Sequence, residues 1–192
     1  MAAGANHETE IKLRVPDAAA ARRLIGQAGF RVARRRVLET NVLFDNPARE
    51  LRARRCLIRI RRAGARAILT YKGAPEPGRH KSREELEAPL ARPETFEAIL
   101  GRLGFEPVFR YEKYRTEYRR GSQEGVVTLD QTPVGVFLEL EGDPDWIDRL
   151  AGELGFAERN FILASYATLY VDYCHERGLT PQHMLFAPGQ SP

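Results

Sequence analysis

Polar and apolar residues alternate along much of this chain. In His7–Val15, HETEIKLRV, one set of positions holds Glu8, Glu10 and Lys12, and the other holds Thr9, Ile11, Leu13 and Val15. Successive side chains of a strand point to opposite faces, so such a strand carries charge on one face and apolar groups on the other. The pattern returns in CLIRIRR, with Arg59 and Arg61 set against Ile58 and Ile60. In AILTYKG it sets Thr70 and Lys72 against Leu69 and Tyr71. SREELEA aligns Arg83, Glu85 and Glu87, and FRYEKYRTEY aligns Lys113, Arg115 and Glu117. GVVTLDQTP places Asp130 opposite Val127 and Leu129, and GVFLELEG places Glu139 and Glu141 opposite Leu138 and Leu140. With RVLETNVLFD, Arg36 to Asp45, the alternation predicts eight strands.

Helices are predicted between them. PDAAAARRLIGQAGF has Asp17 near its start; RPETFEAILGRLGF has Pro93 in its first turn. GDPDWIDRLAGELGF has Asp143 as cap and Pro144 behind it, and SYATLYVDYCHERG runs from a Ser165 cap to Gly178. Three of these segments end in Gly-Phe, at Gly29, Gly104 and Gly155, where glycine permits the left-handed turn that closes a helix. Gly73–Lys81, GAPEPGRHK, reads as a hairpin loop. The reading is a single domain over residues 1–178, with 179–192 as a C-terminal tail.

Composition changes the picture at two points. The net charge of +4 conceals an asymmetry, because residues 31–66 hold twelve arginines against Glu39, Asp45 and Glu50 alone. A stretch of that kind suits an anionic partner. Nucleic acid is not favoured, since no recognition motif or aromatic stacking pattern accompanies Arg31 to Arg36. The chain also has only four lysines among thirty basic residues, and Lys12, Lys72 and Lys113 all fall in the alternating segments. Two separated cysteines, Cys56 and Cys174, offer neither a disulfide framework nor thiolate ligands for zinc. There is no apolar run of the roughly 18 residues that a membrane span needs, and no signal-like N-terminal segment, so the expectation is a cytoplasmic protein, monomer or homodimer, away from the membrane.

The charged positions are informative as a set. Closed into a barrel, these strands would line a lumen with Arg, Lys, Glu and Asp, and buried charges need partners. The cations suit several phosphates, with arginine offering a fork of donors and lysine a point charge. The carboxylates would repel the same polyanion unless a hard divalent cation lay between them. One cavity with both sets reads as a site for a metal-bound triphosphate.

Glu8-x-Glu10-x-Lys12 resembles the ExExK signature of the CYTH proteins, also called triphosphate tunnel metalloenzymes. The resemblance continues in order through Arg59-x-Arg61, Lys72, Arg83-Glu84-Glu85-Leu86-Glu87, Lys113-x-Arg115, Asp130 and Glu139-x-Glu141. It implies an α+β fold, a closed eight-stranded antiparallel β-barrel flanked by helices. It implies Mg²⁺ or Mn²⁺ held by Glu8, Glu10, Asp130, Glu139 and Glu141. Phosphate contacts would come from Lys12, Arg59, Arg61, Lys72, Arg83, Lys113 and Arg115; of these Lys12, Arg59, Arg61, Lys113 and Arg115 would serve catalysis, with Glu85 orienting its basic neighbours. The implied activities are hydrolysis of an inorganic or organic triphosphate or, as the alternative, class IV adenylate cyclase chemistry that turns ATP into cyclic AMP and pyrophosphate. A module that binds polyphosphate or nucleotide without turnover is disfavoured, because such a binder would gain affinity by losing its carboxylates. Hydrolysis asks less of the site, since no motif marks an adenine pocket and the one tryptophan, Trp146, falls on an outer helix as a packing residue.

Overall fold

The structure, a computed structural model, describes residues 6–122 and 125–189. Among these, eight antiparallel strands close into a barrel in the order β1-β5-β4-β3-β2-β6-β7-β8. They are β1 (Asn6–Val15), β2 (Arg31–Asp45), β3 (Leu57–Ala63), β4 (Arg66–Lys72), β5 (Lys81–Pro89), β6 (Glu106–Arg119), β7 (Gly125–Thr132) and β8 (Gly135–Gly142). Five α-helices accompany them: α1 (Ala18–Gln27), α2 (Glu50–Ala53), α3 (Pro93–Arg102), α4 (Pro144–Glu153) and α5 (Tyr166–Glu176).

Closure depends on β1. Its first half pairs with β5, from Asn6↔Glu85 to Glu10↔Lys81, and its second half pairs with β8, from Glu10↔Glu141 to Val15↔Val136. Where β5 gives out, Ile162 takes its place: Lys12 and Ile162 exchange backbone hydrogen bonds of 3.0 and 2.9 Å. The barrel therefore leaves no open edge along this stretch of β1.

The apolar faces of the strands point outward, under the helices. Ile11, Leu13, Val127, Leu129, Leu138 and Leu140 are buried beneath Ala21 and Ile25 of α1 and Trp146, Ile147 and Leu150 of α4. On the other side Val42, Phe44 and Ile60, with Ile58 and Leu69, pack on Leu100 and Phe96 of α3. The hydrophobic core is thus wrapped around the barrel, and the charged positions are left to the lumen.

Helix ends follow the sequence closely. Asp17, Asp143 and Ser165 each accept backbone N–H bonds at the start of α1, α4 and α5. Three helices end on the same Gly-x-x-Gly-Phe: the second glycine has φ near +80°, and the Phe30, Phe105 and Phe156 N–H groups reach back five residues. Strand β2 starts five residues earlier than the alternation predicted. Its register against β6 shifts between Val32 and Arg34 and again between Arg34 and Val37, and such bulges erase a period of two. The segment read as a tail from residue 179 is tied down at Met184, which is fully buried and bonds the β6 backbone at Arg110 and Glu112; residues 190–192 lie outside the described residues.

Trp146 reads from sequence as a packing residue, and its ring lies against Gly125 and Gly142. A Cβ on Gly125, where φ is +148°, would come within 2.6 Å of the indole. Gly125→Ala should therefore lower stability by about 1–3 kcal/mol through overpacking. By contrast Gly152→Ala, inside α4 with open space around it, should be neutral or gain up to about 1 kcal/mol. Urea unfolding of both variants checks this; equal midpoints would contradict the packing described.

Candidate functional site

The lumen is a cavity of about 630 Å³. Cross-strand register decides which charges meet in it. On the β1–β8 seam Glu10 stands opposite Glu141, and Lys12 opposite Glu139. On β4–β5 Lys72 faces Glu85. On β6–β7 Arg115 faces Asp130.

One wall is built by β1, β5 and β4. Glu10 accepts from Lys12 at 3.0 Å and Lys81 at 2.9 Å, and Lys12 also lies 3.3 Å from Glu139. Lys72 bonds Glu8 and lies 3.2 Å from Glu85. The facing wall belongs to β2, β3 and β6. Arg59 donates to Tyr111 and Thr70, with Glu85 and Glu87 at 3.8 and 3.6 Å. Arg61 lies 3.4 Å from Glu87 and 3.9 Å from Glu39, and Glu39 lies 3.7 Å from Lys113.

The lumen is floored by the start of α5. Tyr166 donates to Asp130 at 2.8 Å, as does Lys113, while Arg115 donates to both oxygens of the same carboxylate at 2.7 and 2.6 Å. Arg115 also reaches Glu139. At the other end the lining passes out to Arg34, Arg35, Arg66 and Arg119.

These neighbours set the protonation of each group. Burial works against the charge of Glu10 and Glu139, yet both carboxyls are held below the usual range, Glu10 by Lys12 and Lys81, Glu139 by Arg115, Lys113 and Lys12. Burial also opposes the Lys12 ammonium, but Glu10 and Glu139 keep it more basic than an ordinary lysine. Lys81, for which burial outweighs Glu10, drops to about 8. Glu141 is pushed up to about 7 by loss of water and by Glu8, with Glu10 and Glu139 adding to the shift and Arg115 opposing it. Glu85 also rises to about 7, by burial reinforced by Glu8 against the pull of Lys72.

Glu8, Glu10, Lys12, Arg59, Arg61, Lys72, Arg83, Glu85, Lys113, Arg115, Glu139 and Glu141 all line this one cavity. Asp130 is not among the residues lining the cavity; it is fully buried and accepts from Lys113, Arg115 and Tyr166. Sequence reasoning missed Lys81, Glu39 and Tyr166, which also line the cavity. Lys81 continues the period of Arg83, Glu85 and Glu87 one step back into the predicted loop, and Glu39 alternates with Asn41 and Leu43. Nothing local marked Tyr166.

The donor set fits a hard cation on one side only. Among the described residues no three His, Cys, Asp or Glu side chains converge closely enough to enclose a metal by themselves. Mg²⁺ and Mn²⁺ need only one or two carboxylates when phosphate oxygens and water complete the shell. Glu141 answers to that need: it is an exposed residue that lines the cavity, and Glu8 and Glu10 repel its charge against the pull of Arg115.

Known proteins resemble this chain in sequence or in fold. A Methanocaldococcus jannaschii protein, provisionally named an adenylate cyclase, is 28% identical over 172 residues, covering 84% of this chain and 97% of its own. A Pyrococcus horikoshii OT3 protein of known structure superposes with a TM-score of 0.73 at 25% identity, over 86% of this chain and 99% of its own. A Hippeastrum protein, named for adenylyl cyclase and described as having a dominant triphosphatase activity, shares the fold at a TM-score of 0.61 and 21% identity, over 91% of this chain and 97% of its own. Residues 6–162 match the CYTH domain, the barrel from β1 through β8 and on to Ile162, and the chain belongs to the CYTH domain family.

Proposed function

We propose that this protein is a divalent-metal-dependent triphosphatase, which hydrolyses the terminal phosphoryl group of a triphosphate drawn into the tunnel. Members of the CYTH family bind triphosphate substrates and are typically metal-dependent. The observation that carries the reading is that both signs of charge are left incomplete in one cavity. The Nε atoms of Arg59 and Arg83 are buried without a hydrogen-bond partner, and in the same lumen burial and the charges of Glu8, Glu10 and Glu139 outweigh the pull of Arg115 on Glu141. A buried guanidinium nitrogen without an acceptor is costly, and an anionic ligand supplies one. A passive binder of polyanions would gain nothing from Glu8, Glu10, Glu139 and Glu141.

The phosphate chain would lie among Lys72, Arg83, Arg59, Arg61, Lys113 and Arg115, with Lys12 beside Glu10 and Glu139. Phosphoryl transfer makes few covalent demands on a protein and depends on position and on stabilised charge. Glu8, Glu10, Glu139 and Glu141 would hold Mg²⁺ or Mn²⁺, which when bound neutralises phosphate charge and makes a bound water more acidic. Water oxygen bonds to the terminal phosphorus, the bridging P–O bond breaks, and orthophosphate leaves. The arginines and lysines already face carboxylates in fixed geometry, so little reorganisation is asked of them as charge shifts to the leaving oxygens.

A second reading is cyclisation of ATP, in which the ribose 3′-hydroxyl attacks the α-phosphorus. The cavity has room for more than a triphosphate, and the Methanocaldococcus jannaschii relative carries a cyclase name. Hydrolysis is preferred because the aromatic side chains of the described lining, Tyr111 and Tyr166, face the lower part of the lumen, while Arg34, Arg35, Arg66 and Arg119 line the mouth. The experiment is a product assay with tripolyphosphate and ATP, each with Mg²⁺ or Mn²⁺. Orthophosphate is expected; cyclic AMP with pyrophosphate would establish the second reading, and no product from any combination would end both.

Lys113→Ala should lower kcat by about 10²–10³-fold, as loss of one donor to developing charge does, and should raise KM as well. A change in KM alone would make Lys113 a binding contact only.

Glu85 and Glu141 titrate near 7 in the folded chain, against about 4.3 when unfolded. Their folded forms hold protons that the unfolded chain releases, so their contribution to stability is greatest at low pH and is lost as pH rises through about 7. The metal-free protein should melt at higher temperature at pH 5.5 than at pH 8. Mg²⁺ should raise the melting temperature more at pH 8, and Glu141→Gln should weaken both trends. Melting curves of wild type and variant that are parallel across this range would contradict the assignment.

A further inference from the structure

We propose that Tyr166 is a positioning residue, whose ring gathers the ammonium groups of Lys12 and Lys113 from non-adjacent strands of the barrel into one pair at the tunnel floor. The inference rests on the triphosphatase reading for its catalytic consequence, and on geometry alone for the pairing.

Lys12 comes from β1 and Lys113 from β6, strands that are not neighbours in the barrel. Their Nζ atoms nonetheless lie 5.3 and 5.0 Å from the centre of the same Tyr166 ring. An aromatic face attracts a cation, most strongly where water is excluded, and all three side chains are buried. Two like charges drawn to one ring repel, so something must hold them there. Lys12 is held by Glu10 and Glu139, and Lys113 by Asp130 and Glu39. The ring supplies a negative surface common to both.

Tyr166 is itself fixed on every side. Its hydroxyl donates to Asp130 at 2.8 Å. Phe137 meets the ring edge-on at 5.5 Å, and Tyr111 lies 6.3 Å away. Ser165 caps α5 immediately before it, and Ile162, four residues earlier, is bonded to the backbone of Lys12. The ring under the Lys12 ammonium is therefore carried by the segment that pairs with the Lys12 backbone. Lys12 and Tyr166 cannot shift independently, and Lys113 joins them through the shared Asp130.

In function, a phosphate group at the floor would meet two point charges at a preset spacing rather than two mobile side chains. Asp130 takes a corresponding role: with Tyr166, Lys113 and Arg115 all donating to it, it orients the cations.

The sequence makes a direct test possible, because it contains only the four lysines at positions 12, 72, 81 and 113. With lysine labelled at Cε, two of the four Hε signals should lie upfield through the ring current of Tyr166. Lys12→Arg and Lys113→Arg should each delete one of the two. Tyr166→Phe keeps the ring and should keep both shifts, whereas Tyr166→Leu should return both to the position of an ordinary lysine. Turnover should follow the ring: Tyr166→Leu should lose about 10²-fold in kcat, the scale of a misplaced catalytic group, with a smaller change in KM, and Tyr166→Phe should recover most of that loss. The pairing is overturned if no two lysine signals are shifted in the wild type, or if the shifts survive Tyr166→Leu. The positioning role is overturned if Tyr166→Phe loses as much kcat as Tyr166→Leu, or if Tyr166→Leu turns over like wild type. Should the leucine variant not fold, Tyr166→Met replaces it, and the wild-type spectrum still decides the pairing. A wild type that hydrolyses no triphosphate but shows two shifted lysines removes the function and leaves the geometry standing.

Discussion

A charged group inside a protein must find a partner, and this constraint organises the whole molecule. The strands put their apolar faces outward under helices and their charged faces inward, so the barrel is lined by the groups that most resist burial. The chain answers with close pairs: Glu10 with Lys12 and Lys81, Lys72 with Glu8 and Glu85, Asp130 with Lys113 and Arg115. Because these pairs join different strands, register is fixed twice, by the hydrophobic face outside and by charge inside. A slip of one residue would bring leucines into the lumen and carboxylates under the helices.

What the pairs leave over is where chemistry enters. Arg59 and Arg83 each keep a buried nitrogen without an acceptor, and Glu141 meets Glu8 and Glu10 across the β1–β8 seam. These leftovers are of opposite sign and share one cavity of about 630 Å³. A polyanion alone would worsen the acidic side, and a cation alone would worsen the basic side. A metal-bound triphosphate answers both, which ties the incomplete charges of the lumen to the proposed substrate.

Much of this was legible in the sequence, and the reason is the period of two. Glu8-x-Glu10-x-Lys12, Arg59-x-Arg61 and Glu139-x-Glu141 stand against apolar residues at every intervening position but one, Thr9, so both faces of each strand are specified and no other register suits them. Helix starts at Asp17, Asp143 and Ser165 were readable because a cap is a local hydrogen bond. Where local pattern failed, the cause was non-local. The bulges of β2 interrupt the alternation before Val37, so the basic run at Arg31–Arg35 gave no sign of belonging to a strand. Lys81 follows a loop whose length hid its phase. Asp130 was recognised as a lumen carboxylate, but its four donors come from Lys113, Arg115 and a tyrosine 36 residues away, and no spacing shows which partner will claim it. Tyr166 sits on a helix that closes the barrel end, a relation that exists only once the barrel has formed.

The central claim, that cation and triphosphate complete the same cavity from opposite sides, is a claim about coupling. Calorimetric titration of tripolyphosphate into the protein, with and without saturating Mg²⁺ and at a fixed ionic strength, tests it most directly once the association of Mg²⁺ with free tripolyphosphate is subtracted. Linkage requires that each ligand raise the affinity of the other by the same factor. The account predicts at least about tenfold tighter tripolyphosphate binding in the presence of Mg²⁺, equivalent to about 1.4 kcal/mol of coupling, and loss of that coupling in Glu141→Gln. Tripolyphosphate binding equally tight with and without the metal would contradict it.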